Sequence, residues 1–246
     1  MFGAADEEVA SYRAISSLAV AGLLAGLLSP LAMVARSLWL APLVAVVLSS
    51  LALRRIVTRS PELVGRPAAL AGLLLGTAFL VAAPVDELLY RRFLGQQARQ
   101  FAEIWIDAVR HSKADHLEVY KTHHLMIDPK HRLPLEGKLA DFYRQNETWR
   151  RSLLDFVKLP VMQTLFALGT DAEIRYYETV GVRREEPFEL VQQIYAVTYP
   201  HPEGARQQPP TTFFIALSMQ RSVDAGRGRA GWTMLRVDGN VRPPGW

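Results

Sequence analysis

Five histidines crowd the stretch "HSKADHLEVYKTHHLMIDPKH": His111, His116, His123, His124 and His131, with Asp115, Glu118 and Asp128 between them and Asp107 just upstream. Imidazole and carboxylate are the groups a zinc ion takes, and His116 and His123 share a helical face two turns apart. The His-Glu-x-x-His spacing is missing, however, and the candidate ligands straddle a helix break, so no metal site is assigned. Imidazoles near helix C-termini complement the helix dipole, and these histidines therefore read as solvated helix ends. Asp107 and His111, one turn apart, could form a carboxylate-oriented general base, but such i,i+4 pairs are common on helix surfaces. No catalytic residue is assigned. The stretch "AGRGRAG" at Ala225–Gly231 superficially resembles a phosphate loop. It lacks the Lys-Ser/Thr ending and precedes a strand, which makes it a hairpin turn. Among the aromatics, Trp105, Tyr120, Trp149 and Tyr176, with Tyr177 and Tyr195, could line a pocket and are the candidate ligand-binding residues, although core packing is the commoner fate of such side chains.

The chain has no cysteine, which excludes disulfides, thiolate nucleophiles and Cys-based zinc sites. Its formal net charge of +4 comes from scattered arginines, without the basic block or basic-aromatic stripe of a nucleic-acid binder. No cofactor is implied.

The elements that would carry these residues follow from periodicity. Ala98, Phe101, Ala102, Trp105, Ala108 and Val109 fall on one helical face, predicting an amphipathic helix over Gln96–His111. A short helix over Asp115–Thr122 follows, then the turn-rich Met126–Gly137, then a helical repeat of Leu139, Phe142, Trp149 and Leu153 up to Pro160. Four alternating stretches predict strands: "EIRYYETVGV", with Ile174, Tyr176, Val180 and Val182 on one face; "FELVQQIYAVTY"; "TTFFIALSMQR"; and "GWTMLRV". Turn-rich segments separate them. Helices followed by a strand meander predict an α+β domain with helices packed on a curved antiparallel sheet.

Upstream of Asp86 the composition changes to Ala, Leu, Val and Gly. Ala14–Ala35, Leu38–Leu53 (extended to Val57 by arginines able to snorkel) and Ala68–Val85 are three apolar runs without the polar face of a soluble helix. The first is long enough to span a hydrocarbon core of about 30 Å. Pro67 opens the third run and Pro84 is expected to close it. A cleaved signal peptide is rejected, because "DEE" at Asp6–Glu8 replaces the basic n-region and the apolar run is too long. Arg54, Arg55, Arg59 and Arg66 form the densest short basic loop, which the positive-inside tendency places in the cytoplasm. Residues 1–13 are then cytoplasmic, 14–87 form a three-span transmembrane module, and 88–246 form a domain outside the membrane. Arg91 and Arg92 beyond the third run oppose this orientation. The word "AGLLAG" at Ala21–Gly26 returns as "AGLLLG" at Ala71–Gly76, setting Gly22/Gly26 and Gly72/Gly76 on single helix faces. Such faces let helix backbones approach closely in lipid.

The order "ISSLAVAGLLAGLLSPL", "LALRRIVTRS", "LVGRPAALAGLLLGTAFL" resembles the bacterial membrane domain of unknown function 4190, through Gly22, Gly26, Ala52, Leu53, Arg54, Gly65, Ala71, Gly72 and Gly76. The resemblance covers roughly residues 14–85; it implies a membrane module commonly fused to an exported domain, and implies no activity. From about residue 96 to 240, the order of helices and strands and the closing "GWTMLRVDG" are similar to the cone-shaped nuclear transport factor 2-like superfamily. The Asp, Tyr or His motifs of its enzymatic members do not align here.

The expected function is a membrane-anchored, extracytoplasmic α+β domain that binds a partner protein or a small apolar ligand. Two alternatives stay open. One is a cone-fold isomerase- or hydrolase-like enzyme with an Asp or His base in an aromatic pocket. The other is a structural protein whose spans form homo-oligomers in the lipid bilayer through their glycine faces.

Overall fold

Pro30 interrupts the first apolar run. In the computed structural model, which describes residues 14–58, 63–113, 115–129, 131–132, 138–185, 187–200, 210–224 and 229–243, helix α1 covers Ser17–Leu28 and tightens into a 3-10 segment over Ser29–Met33. Proline lacks the N–H that an α-helix interior requires. The uninterrupted helix expected over Ala14–Ala35 is therefore not formed. A 3-10 turn at Arg36–Trp39 leads into α2, Leu40–Thr58. A two-residue parallel pair, β1 (Ala14–Ile15) with β2 (Leu63–Val64), ties the entries to α1 and α3 together.

Helix α3 runs without a break from Arg66 to His111, with Pro84 inside it. This corrects the expectation that the third apolar run closes near Pro84 and that a separate helix begins at Gln96. One lost backbone bond does not stop a helix whose following residues, "DELLYRRFL", are good helix formers. Prolines are also tolerated inside membrane helices, where neighbouring groups re-satisfy the freed carbonyl. Two helical stretches, Ser37–Thr58 and Arg66–His111, are long and apolar enough to cross a membrane, and Ser17–Met33 is a shorter apolar helix.

The chain divides into two compact units, Met1–Tyr90 and Arg91–Trp246. In the first, the interior is built of small residues: Ala19, Gly22, Gly26, Ala45, Ser49, Ala52, Ala69, Gly72 and Gly76 are buried. The large aliphatics point outward, with Leu40, Leu74 and Val81 between 64% and 69% exposed. Water-soluble cores show the reverse. A Cβ placed on Gly72 would lie 2.6 Å from the Gly22 carbonyl oxygen and from Ser49 Oγ, and one on Gly76 would lie 3.0 Å from Ala45 Cβ. The glycine faces of α1 and α3 are thus packed against the chain's own helices.

The second unit holds α4 (His116–His124), α5 (Leu139–Gln145), α6 (Glu147–Val157), α7 (Pro160–Leu168) and a four-stranded sheet. Its strands, β3 (Glu173–Glu185), β4 (Phe188–Tyr199), β5 (Thr211–Asp224) and β6 (Arg229–Gly239), form an antiparallel meander in sequence order. The hairpin expected around "AGRGRAG" is seen in its flanks, where Asp224 pairs with Arg229, while residues 225–228 lie outside the described residues. Asp115 caps α4 by accepting from the Leu117 N–H at 2.8 Å. The helical repeat from Leu139 is broken at the extended Asn146, and α7 begins at Pro160, where the repeat was expected to end. Apolar side chains of α3, among them Ala98, Phe101, Trp105 and Val109, are buried with Val191, Ile215, Leu217 and Met219 of the sheet.

Candidate functional site

Four residues of α3 at helical spacing, Arg92, Gly95, Gln96 and Arg99, share one face. With Arg91 they form one wall of an open groove of about 580 Å³. The facing wall is β3, through Tyr176, Thr179, Val180, Gly181 and Val182. That wall is irregular because β3 bulges against β4 between Tyr176 and Glu178 and again between Thr179 and Gly181. Each bulge inserts a residue and bends the strand. The phase of alternation therefore slips, and Val180, expected on the face of Ile174 and Tyr176, is 48% exposed.

A fixed polar network underlies the groove. Gln193, fully buried on β4, donates through Nε2 to the Gly95 carbonyl at 2.8 Å and to Thr179 Oγ1 at 3.0 Å. The Tyr195 hydroxyl donates to Gln193 Oε1 at 2.9 Å, and burial pushes that phenol's pKa upward. Tyr176 and Thr179 join hydroxyls at 3.0 Å. The Arg99 guanidinium lies 5.0 Å from the centre of the Tyr176 ring and also pairs with Glu103 at 3.0 Å. Arg92 makes no hydrogen bond or ion pair among the described residues, and no acidic side chain lines the groove. An adjoining hollow of about 420 Å³ continues along α3 past Glu103, Asp107 and Arg110. Fixed hydroxyls beside the Arg92 guanidinium can hold an anion by charge-assisted hydrogen bonds.

Of the four expected ligand-binding aromatics, the groove lining includes Tyr176 and none of Trp105, Tyr120 and Trp149. Trp105 is wholly enclosed, its Nε1 without a hydrogen-bond partner among the described residues. Tyr120 packs on Tyr143 at 5.2 Å between ring centroids, and Trp149 is half-buried. Tyr177 meets Phe214 and Tyr195 meets Tyr176.

The histidines correct the reading of solvated helix ends. His111, His116 and His131 are exposed, but His123 and His124 are buried. His123 stands between two hydroxyls, with Nδ1 2.7 Å from Tyr143 Oη and Nε2 3.1 Å from Ser152 Oγ. Its ring lies 5.5 Å from those of Tyr143 and Phe156. Burial, and secondarily the neighbouring His124, lowers its pKa to about 4. A neutral imidazole donates from one nitrogen and accepts at the other, which matches two hydroxyls without an ion. The cluster therefore joins α4, α5 and α6. His111 Nδ1 is 2.9 Å from the Asp107 backbone oxygen and 3.3 Å from Oδ1, in an exposed pair. No group of three or more His, Cys, Asp or Glu is arranged for a metal ion among the described residues.

The helical spacing Arg-x-x-Gly-Gln-x-x-Arg was the available signal for the groove; it is hidden in sequence because its opposite wall lies some eighty residues downstream. No known family model matches the chain, and no curated protein matches it.

Proposed function

We propose that this is a three-span, multi-pass membrane protein whose second unit, exported from the cytoplasm, binds a ligand in the groove between α3 and β3. The single observation that carries the reading is that groove: Arg92, which has no partner among the described residues, stands with Arg91 and Arg99 across from a fixed hydroxyl network, and no acidic residue is in the lining. The inverted burial of the first unit supports a lipid environment. At about 1.5 Å per α-helical residue and 2.0 Å per 3-10 residue, Ser17–Met33 reaches about 28 Å, close to a hydrocarbon thickness, which supports a third span. Exposed Arg54, Arg55 and Arg66 support a cytoplasmic α2–α3 connection and hence an exported second unit; Arg59 lies outside the described residues. The helices preceding a bulged antiparallel sheet support a nuclear transport factor 2-like arrangement.

An enzyme would need its base within reach of a substrate. His123 is 3% exposed and both ring nitrogens are engaged, so it does not supply that base.

Because the chain has no cysteine, single-cysteine variants test both parts. Val180→Cys should react with a membrane-impermeant maleimide in intact cells, and Arg54→Cys only after permeabilisation. Val180→Cys should also react more slowly in native membranes than in purified, detergent-washed protein, because its groove is then occupied. Equal rates would remove the ligand, and the opposite labelling pattern would reverse the topology.

A further inference from the structure

We infer that the groove binds an organic phosphate, held at its phosphate by Arg92, Arg99 and a hydroxyl of the Tyr176–Thr179 pair. This rests on the reading of the groove as a ligand site and names the ligand's chemical class. Every residue that carries the inference belongs to the second unit.

Charge gives the class. Arg91, Arg92 and Arg99 line the groove, and no carboxylate does. Arg92 has no partner among the described residues. Arg99, placed over the Tyr176 ring at 5.0 Å, shares its charge with Glu103, which is outside that lining. A guanidinium fork matches carboxylate and phosphate alike. A carboxylate, however, brings a single negative charge to a wall of three cations. A phosphomonoester brings about −1.5 to −2 near pH 7, on three strong acceptor oxygens. The phosphate is the better match in both charge and acceptors.

The hydroxyl network supplies a further donor. A backbone carbonyl can only accept, so Gly95 fixes the amide end of Gln193 and makes Thr179 Oγ1 the acceptor of the second Nε2 hydrogen. Tyr195 spends its hydrogen on Gln193 Oε1. Between Tyr176 and Thr179 one hydroxyl donates to the other, and the second keeps a hydrogen with no acceptor among the described residues. Whichever of the two holds it, the spare donor stands in the groove lining. Buried Gln193 ties the walls together, since Gly95 belongs to α3 and Thr179 to β3. Room for the rest of the ligand lies alongside. At about 580 Å³ the groove has the size of a small-molecule site and far exceeds what a bare phosphate needs. A Cβ on Gly181 would meet nothing within 4 Å, and Val180 is 48% exposed, so the wall next to the hydroxyls is open and apolar.

The test uses the full chain carrying Val180→Cys, in dodecyl maltoside at constant ionic strength, and reads the rate at which a maleimide labels the cysteine. Phenyl phosphate, dioleoyl phosphatidic acid, benzoate and inorganic phosphate are titrated separately. Phenyl phosphate or phosphatidic acid should slow labelling at about a tenth of the concentration that benzoate or inorganic phosphate requires. The more effective of the two tells whether a soluble ester or a lipid headgroup supplies the phosphate. Arg92→Gln and Arg99→Gln, each added to Val180→Cys, should raise the half-protecting concentration about tenfold, the loss expected for one charge-assisted hydrogen bond. Arg150→Gln, on the exposed surface of α6, should not. Folding is not in question for Arg92→Gln, because that side chain is exposed and makes no described bond. Equal protection by benzoate, protection untouched by both arginine variants, or no protection by either organic phosphate overturns the assignment. Equal protection by inorganic phosphate overturns it too, by removing the organic body. In each of these cases, slower labelling in native membranes than in washed protein leaves the ligand groove standing, whereas equal rates there overturn both.

Discussion

Acid should loosen the second unit through His123. In the folded protein its pKa is about 4, against 6.5 for the free side chain, because burial penalises the charged ring. Above pH 6.5 both folded and unfolded forms are neutral and the histidine costs nothing. As pH falls from 6.5 to 4 the unfolded chain takes up a proton that the folded chain refuses, so stability declines across that window. A difference of 2.5 units, at about 1.4 kcal/mol per unit, amounts to about 3 kcal/mol by pH 4. For a unit of this size that corresponds to a fall of roughly 6–12 °C in melting temperature. The assay is thermal unfolding of the detergent-solubilised full chain, followed by tryptophan fluorescence at steps between pH 7.5 and pH 4. His123→Gln keeps a donor and an acceptor for Tyr143 and Ser152 but has no proton to gain. Its melting temperature should begin lower at pH 7.5, through imperfect packing, and then fall less steeply than that of the parent protein. Parallel profiles for the two proteins would refute the argument, since the acid sensitivity would then belong to other groups.

Tyr143→Phe should cost about 1–3 kcal/mol in the same assay at pH 7.5, because it leaves His123 Nδ1 buried and unpartnered. Arg132 donates through Nη2 to the carbonyls of Leu125, Ile127 and Trp232, and burial lowers its pKa to about 10. Arg132→Met should therefore destabilise by about 2–4 kcal/mol, and Arg132→Lys should not restore the loss, because an ammonium lacks the fork geometry. Gly72→Ala places a methyl 2.6 Å from the Gly22 carbonyl oxygen and should cost about 1–3 kcal/mol of overpacking, read as earlier heat-induced aggregation in detergent.

The four strands and the apolar runs were legible because a period of two and unbroken greasiness are strong local signals. Other features depended on partners distant in the chain. Pro84 reads as a stop by local rules, yet α3 continues through it, because the residues that follow are good helix formers and only one backbone bond is lost. Bulges in β3 moved Val180 from the predicted inner face to the outside, and bulges leave little trace in an alternating pattern. His123 and His124 look like surface residues until α5 and α6 supply Tyr143 and Ser152 to enclose the first of them. For the groove, only one wall was periodic. Tyr176 stands out in the sequence for being aromatic, whereas Arg91 and Arg92 opposite it bear there only on membrane orientation and Arg99 reads as scattered charge.

The kinked, arginine-bearing margin of β3 has a further consequence. Proteins held in a membrane meet one another in two dimensions, often in similar attitudes, and a straight bare strand would then invite neighbours to zip together. The double kink in β3, with Arg183 and Arg184 projecting near its end, spoils any regular pairing along that side. Crowding should therefore leave these molecules separate along this margin.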